Sequence, residues 1–415
     1  MTAPMLAPQQ QPDSVDAVHV ARQPIYDRDL KVYAYEILFR TAEGVCAIES
    51  GDDATQEVVS NALIDIGLDR LVGSARAFIN LTTAYITGER ALPYVGERVV
   101  LEVLEDVPPT PEVIAGLEKF AADGHTVALD DFIDRPECEP MLHIAHIVKL
   151  DLMAIDPADL EAQVNRLRQF NVKLLAEKVE THEEFRRCLD LGFDYFQGYF
   201  FCKPDQITGV RPKGNKLIAT ELMSALQKPD IGFDDLQSIL SRDASLAYRL
   251  LGYVNSAYFN FRSQVESIRQ ALTIIGTRGV KQWATMILMS TLGQGKPNEL
   301  LRMGMIRARM CENLADRVAG VSPDALFTCG LFSILDALMD MTMEDVVETM
   351  AVDDLVTLAL LKGQGPLGQV LGYVMAYEQG ALNALPEDWA KDCQRAYIDA
   401  VEWSQEFDSA VKGGI

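Results

Sequence analysis

The chain has 415 residues, 48% of them hydrophobic and 24% charged, with a formal net charge of -24. That length exceeds one ordinary core and predicts two domains. The acidic balance, without a Lys/Arg cluster, argues against a large nucleic-acid footprint, and no apolar run reaches the roughly 18 residues needed to cross a bilayer.

The first residues, MTAPMLAPQQQPDSVD, lack a basic and then apolar leader and read as a disordered tail over 1–17. Seven dispersed cysteines without C-x-x-C pairs suit free thiols in a reducing compartment, and the cytoplasm is the expected location.

Strands are then predicted at VYAYEIL, AFINL, RVVLEV, TVALDD, HIVKLD, KLLAEKV and DYFQGY. Between them lie amphipathic stretches predicted as helices: ATQEVVSNALIDIGLDRLV, PEVIAGLEKFAADG, PADLEAQVNRLRQF and HEEFRRCLDLG. Such alternation predicts an α/β fold with a parallel sheet, and a closed (β/α)8-type barrel at this number of units. Cys138, His143 and His146 fall close together, but the segment CEPMLHIAHIV is better read as a half-buried helix leading into a strand than as a zinc site.

Pro, Gly and Lys collect in PDQITGVRPKGNK, where the domain boundary is placed. Beyond it the pattern is helical throughout, from FDDLQSILS and ASLAYRLLGYVNSAYF through SIRQALTIIG, VKQWATMILMSTL, ELLRMGMIRARMCENLADRV and ALFTCGLFSILDALM to DWAKDCQRAYIDAVEWSQEF. Trp283, Trp389 and Trp403 all lie in this half, so tryptophan fluorescence is expected to report on it alone.

Each predicted strand presents a polar side chain at or near its end: Glu36, Asn80, Glu102 with Glu105, Asp130 and Asp131, Lys149 and Asp151, Glu177 with Glu180, and Gln197. One acidic residue at a strand end is usually a solvated loop charge or helix cap. Seven successive strands ending this way instead predict one site at the C-terminal face of a barrel. Carboxylates and an amide without Cys or His suit hard divalent cations, Mg2+ or Mn2+, and a pair of ions sharing a carboxylate is the arrangement used in phosphoryl chemistry. Strand alternation would send Asp130 and Asp131 to opposite faces, so both reach one pocket only if the strand has frayed there.

The stretches ARQPIYDRDLKVYAYEILFR, AFINL, VVLEVLE, VALDDF, IVKLD, LLAEKVET and DYFQGYFFCKP, in this order, resemble the EAL domain, a cyclic di-GMP phosphodiesterase, over about Val18 to Pro204. Glu36-Ile37-Leu38 stands where that family has its Glu-Ala-Leu. The resemblance implies Glu36, Asn80, Glu102 and Asp130 as ligands of one ion, and Asp130 and Asp131 as ligands of a second. It implies Glu177 as general base and metal-site residue, and Lys149 as the group that positions water. Gln23, Arg40 and Gln197 fall in the substrate pocket, and Glu105, Asp151 and Glu180 around it. Two departures accompany the match: the loop Ile133 to Pro140 has no glycine where the family has a glycine-containing loop, and Lys178 replaces a glycine.

DASLAYRLLGYVNSAYF and SIRQALTIIGTRGVKQW resemble the HDOD module, a relative of His-Asp phosphohydrolases. No histidine follows His182, and Ser333 and Ile334 stand where that dyad would be, so this half is expected to bind a protein partner or relay a signal. The expected architecture is α/β plus all-α: an EAL barrel over 18–208 and a helical HDOD domain over 209–415. The expected activity is hydrolysis of cyclic di-GMP to pGpG with Mg2+ or Mn2+, two ions in all. The alternative is a weak or inactive cyclic di-GMP-binding module because of the altered loop. A homodimer is compatible with the family; membrane attachment is not expected.

Overall fold

The structure is a computed structural model described over residues 19–40, 67–90, 92, 97–203, 250, 254–255, 265, 268–292, 296–350 and 352–412. The predicted tail 1–17, most of the predicted helix 54–72, the boundary stretch 204–216 and nearly all of FDDLQSILS and ASLAYRLLGYVNSAYF lie outside these residues.

Eight strands close into a barrel in sequence order. They are β1 (His19–Asp27), β2 (Val32–Arg40), β3 (Arg76–Leu81), β4 (Val99–Val103), β5 (Thr126–Leu129), β6 (Ile147–Asp151), β7 (Lys173–Glu177) and β8 (Tyr195–Gln197). The last seven coincide with the predicted strands. β1 is an addition, and it corrects the expectation of a parallel sheet: it runs antiparallel to both β2 and β8, while the other neighbours are parallel. Its segment carries Pro24, a residue that sequence patterns assign to edges or breaks.

The barrel helices are α1 (Leu68–Val72), α2 (Thr83–Ile86), α3 (Pro111–Ala122), α4 (Glu139–Ile144), α5 (Leu160–Leu167) and α6 (His182–Leu191). α3 starts with Thr110 accepting from the Val113 amide, and α6 with a reciprocal Thr181–Glu184 capping box. His143 ends α4 edge-on to Phe170, whereas His146 lies beyond the helix and its Nδ1 accepts from the Val127 amide. Among the described residues, these histidines and Cys138 do not form a group within metal-ligand range of one another.

The helical region contains α7 (Ile268–Leu292, broken at Gly276), α8 (Asn298–Asn313), α9 (Pro323–Phe332), α10 (Leu335–Met339), α11 (Met343–Met350), α12 (Asp354–Lys362), α13 (Gly365–Glu378) and α14 (Glu387–Lys412). ALFTCGLFSILDALM forms two helices, not the single predicted one. The chain breaks after Ser333, whose hydroxyl donates to the Gly330 carbonyl and accepts from the buried Arg307 guanidinium. Arg307 is also ion-paired with Glu378 at 2.6 Å.

The helical region is docked on the barrel wall. The Tyr35 hydroxyl donates to Glu299 (2.9 Å) and accepts from Arg302 (2.7 Å). Tyr377 donates to the Val20 carbonyl, and Glu402 pairs with Arg70 at 2.7 Å. Trp403 lies between Glu402 and Gln405, which both bond Arg70, while its own ring packs edge-on against Phe327 and under the Arg309 guanidinium of the helical region. No helix among the described residues is long and apolar enough to cross a membrane.

Candidate active site

The barrel interior is built in layers, and strand periodicity determines what each layer contains. A sealed apolar layer is formed by Ile25, Ala34, Phe78, Val100, Ala128, Ile147 and Leu175. Side chains two residues apart on a strand share a face. Two residues further toward the mouth on β2, β3, β4, β6 and β7 stand Glu36, Asn80, Glu102, Lys149 and Glu177, all buried. The same step reaches Asp130 just past β5, Gln197 beyond Tyr195 on β8 and, on the antiparallel β1, Gln23. Gln23 pairs directly with Glu36 and Asn80 with Glu102, while the barrel's stagger sets Glu36 beside Phe78, Glu102 beside Ala128 and Glu177 beside Asp151.

Lys149 stands among the carboxylates. Its Nζ lies 2.7 Å from Asp130 Oδ1, 2.9 Å from Glu177 Oε1 and 3.7 Å from Glu36 Oε2, and it also pairs with Glu102. Burial alone would lower its pKa, but Glu102, Glu177, Glu36 and Asp130 together hold it well above the ordinary lysine value. Burial pushes Glu102 and Glu177 well above the usual carboxylate range, against the pull of Lys149 and with the help of the neighbouring negative charges. Gln197 Nε2 donates to Glu36 Oε2 (2.5 Å) and Gln23 Oε1 (3.0 Å), tying β8, β1 and β2 together at the mouth.

The strand does end where both aspartates are needed. β5 stops at Leu129, and Asp131 takes a left-handed φ of 37°. Asp130 Oδ1 accepts from the Asp131 amide at 3.0 Å. Oxygen atoms of Asp130, Asp131 and Glu177 thereby come within 4.8 Å of one another, the only such group of potential metal ligands among the described residues. The donor set fits a hard cation. Glu102 Oε2, Asn80 Oδ1 and Glu177 Oε2 are buried oxygens with no hydrogen-bond partner, and Asp131 Oδ1 is likewise unpaired. Such orphaned acceptors are costly unless a cation or water engages them.

The outer residues divide. Asp151 accepts from the Met153 amide and pairs with Lys178 at 2.5 Å, beside the mouth. Glu180 turns away to Lys203 at 3.3 Å. Glu105 is exposed, and its pKa is raised by partial burial and then by Asp130 and Asp131. Arg40 ends β2 opposite His19, and its side chain lies outside the described residues. The loop after Asp131 is tethered by Asp134 to Arg166 of α5 at 2.5 Å rather than to Glu105. Sequence reasoning noted Lys178 as a departure but not as a member of the site. Its signal was a long cation directly after a strand-end carboxylate.

A closed barrel with a carboxylate-rich layer at its parallel strand ends, joined to a helical region, defines a two-domain barrel protein of the EAL class. The EAL domain family model matches residues 89–204 and the HDOD domain model residues 216–359. The chain is 31% identical to the uncharacterized protein YuxH of Bacillus subtilis over 93% of its own length and 98% of that protein. It is 30% identical to the cyclic di-GMP phosphodiesterase CdgJ of Vibrio cholerae over 96% of its own length and 95% of that protein. Among solved structures it is similar to the EAL-domain protein YkuI of Bacillus subtilis in complex with c-di-GMP and calcium, at 18% identity, 54% coverage of this chain, 71% of that one, and a TM-score of 0.37. The chain belongs to the EAL–HDOD (YuxH-like) family.

Proposed function

We propose that this chain is a cytoplasmic, metal-dependent phosphodiesterase that opens cyclic di-GMP to linear pGpG. The observation that carries the reading is the buried ring of unpartnered oxygens around Lys149, from Glu102, Asn80 and Glu177. Similarity over nearly the whole chain to a protein named as a cyclic di-GMP phosphodiesterase supports the substrate.

Glu36, Asn80, Glu102, Asp130, Asp131 and Glu177 would hold Mg2+ or Mn2+, two ions in this reading, which supply Lewis acidity toward a phosphodiester oxygen. Glu177 serves as general base: its Oε1 is held by Lys149 while Oε2 has no partner and is left to take a proton. Lys149 stays charged and orients Glu177 and Asp130 toward the reacting centre. Gln23, Gln197 and Arg40 contact the dinucleotide at the rim, and an arginine fork there suits a phosphate. Glu105 and Asp151 support the site from outside it, and Glu180, turned to Lys203, lies beyond them.

The barrel domain spans 18–208 in this reading, and the HDOD domain 209–415. With Ser333 half-buried and Ile334 buried in the helix break, in place of a His-Asp dyad, the HDOD domain acts as a non-catalytic module for a protein partner or for a second copy of the chain. A second reading, capture of cyclic di-GMP without turnover, is favoured by the loop tied to Arg166 and by Lys178 at the mouth.

Purified protein incubated with cyclic di-GMP and Mn2+ decides between them. Turnover to pGpG that falls at least about a hundredfold in Glu177→Gln, in line with loss of a general base, and is lost in Glu36→Ala supports the enzyme. Tight binding with no pGpG at any metal concentration selects the second reading.

A further inference from the structure

Lys178 occupies a conformation that its own chemistry disfavours. It follows Glu177 at the end of β7 with φ at 54°, in the left-handed region where a Cβ clashes with the backbone. Burial does not hold it there, since its side chain is about half exposed (49%). Its contacts are electrostatic: Nζ lies 2.5 Å from Asp151 Oδ2 and 3.8 Å from Asp131 Oδ2. Asp131 is itself left-handed, and its other oxygen, Oδ1, has no partner. Two left-handed residues, past the ends of β5 and β7 with β6 between them, thus place an ammonium against the most exposed member of the Asp130–Asp131–Glu177 oxygen group.

We propose that Lys178 is a resident counter-charge that sets unequal affinities for two cations at this mouth. The inference rests on reading the mouth as a divalent-cation site. An ion bound among Asp130, Glu177 and the buried Glu102 and Asn80 is separated from Lys178 by its ligands. An ion that takes Asp131 must either bear the ammonium's repulsion or displace it from Asp131 and Asp151. A neighbouring charge shifts a carboxylate's affinity for a proton by about tenfold to a thousandfold. The same electrostatic work acts against an arriving dication, so Lys178 weakens the second ion at least about tenfold relative to the same site without the charge, whereas Lys149 beside the first ion is common to every variant. The two-ion state is then reached only at high metal concentration, and a single residue at the rim controls it.

The test is titration of the full-length, metal-stripped protein with Mn2+ alone, following free Mn2+ by electron paramagnetic resonance. Wild type is expected to show one tight ion and a second, weaker one. Lys178→Gln keeps a Cβ in the left-handed backbone but removes the charge, and tightens the second ion at least about tenfold, bringing the two affinities together. Lys178→Arg keeps the charge and the gap. Lys178→Gly relieves the backbone and is expected to titrate like Lys178→Gln, which separates charge from strain. Two equal sites in wild type, or a Lys178→Gln isotherm that superimposes on wild type, overturns the proposal while leaving the cation site intact. No Mn2+ bound by any variant removes both the proposal and the reading beneath it.

Discussion

Lys149 is the residue on which the electrostatics of the mouth turn. It is 1% exposed and within ion-pair range of Glu36, Glu102, Asp130 and Glu177. Replacing it with the similarly sized, uncharged Met leaves buried carboxylates uncompensated, and removing one partner from such a cluster typically costs about 3–5 kcal/mol. Lys149→Met is therefore expected to lose stability of that order in urea melts of metal-stripped protein at pH 8, and to recover part of it with Mn2+. The loss has a definite pH dependence. Glu102 and Glu177 have folded-state pKa values raised above those of the unfolded chain, so they bind protons more tightly when folded. Their protonation favours the fold at low pH, and that contribution disappears as pH rises through the folded values. The gap between variant and wild type should narrow toward pH 5; a gap constant with pH would show that the carboxylates are not its source. At this scale the buried ring could be read in the sequence because a period of two fixes which side chains share the barrel interior. The turn of Asp131 toward the pocket could be read only as a condition, fraying of the strand, and the position of Lys178 not at all, because both depend on left-handed backbone past the strand ends. Glu180 shared the strand-end pattern, but its position past the last paired residue leaves it free to turn outward to Lys203.

Among elements, the strands with β-branched runs were visible in the sequence, whereas β1 was hidden by Pro24 and by its opposite direction. Helix continuity was the other weak point. Ser333 bonds back to Gly330 and receives Arg307, and this tertiary contact ends α9 where the apolar pattern runs on. The same region shows how closely α8 and α9 approach. A Cβ at Gly330 would lie 2.6 Å from the Arg307 carbonyl oxygen and 2.7 Å from Ala308 Cα, both backbone atoms that cannot swing aside. At Gly304 the nearest atom is the tip of the Ile334 side chain, which can. Helix propensity favours alanine over glycine by about 1 kcal/mol at an ordinary helical position. Overpacking reverses that sign, by about 1–3 kcal/mol. Gly330→Ala is thus expected to lower the thermal midpoint of the helical region and Gly304→Ala to do so less. A Gly330→Ala protein as stable as wild type would mean that the two helices do not meet in this way.

Across the whole molecule, two domains were legible from the change in periodicity, but their docking was not. The contacts that join them, such as Tyr35 with Glu299 and Arg302, are single residues far apart in sequence and without a pattern. Their consequence is mechanical. One buried cluster contains Val20, Tyr35 and Leu71 of the barrel together with Leu300, Phe327 and Trp403 of the helical region. A shared core makes partial unfolding expose apolar surface on both sides, so the two regions should melt in one transition rather than as the independent units usual for tandem domains. A cation that binds only the folded mouth stabilises by mass action, about 2.7 kcal/mol at a hundred times its dissociation constant. That gain should reach the tryptophans although none of the three lies in the barrel sequence. Mn2+ is therefore expected to raise the midpoint read by tryptophan fluorescence and that read by far-ultraviolet circular dichroism equally. Tyr35→Ala removes the aromatic ring and both hydrogen bonds at the junction and should split the transition, with the tryptophan midpoint no longer responding to metal. Coupling through the shared core is excluded if, in the wild-type protein, Mn2+ moves the circular-dichroism midpoint and leaves the tryptophan midpoint where it was.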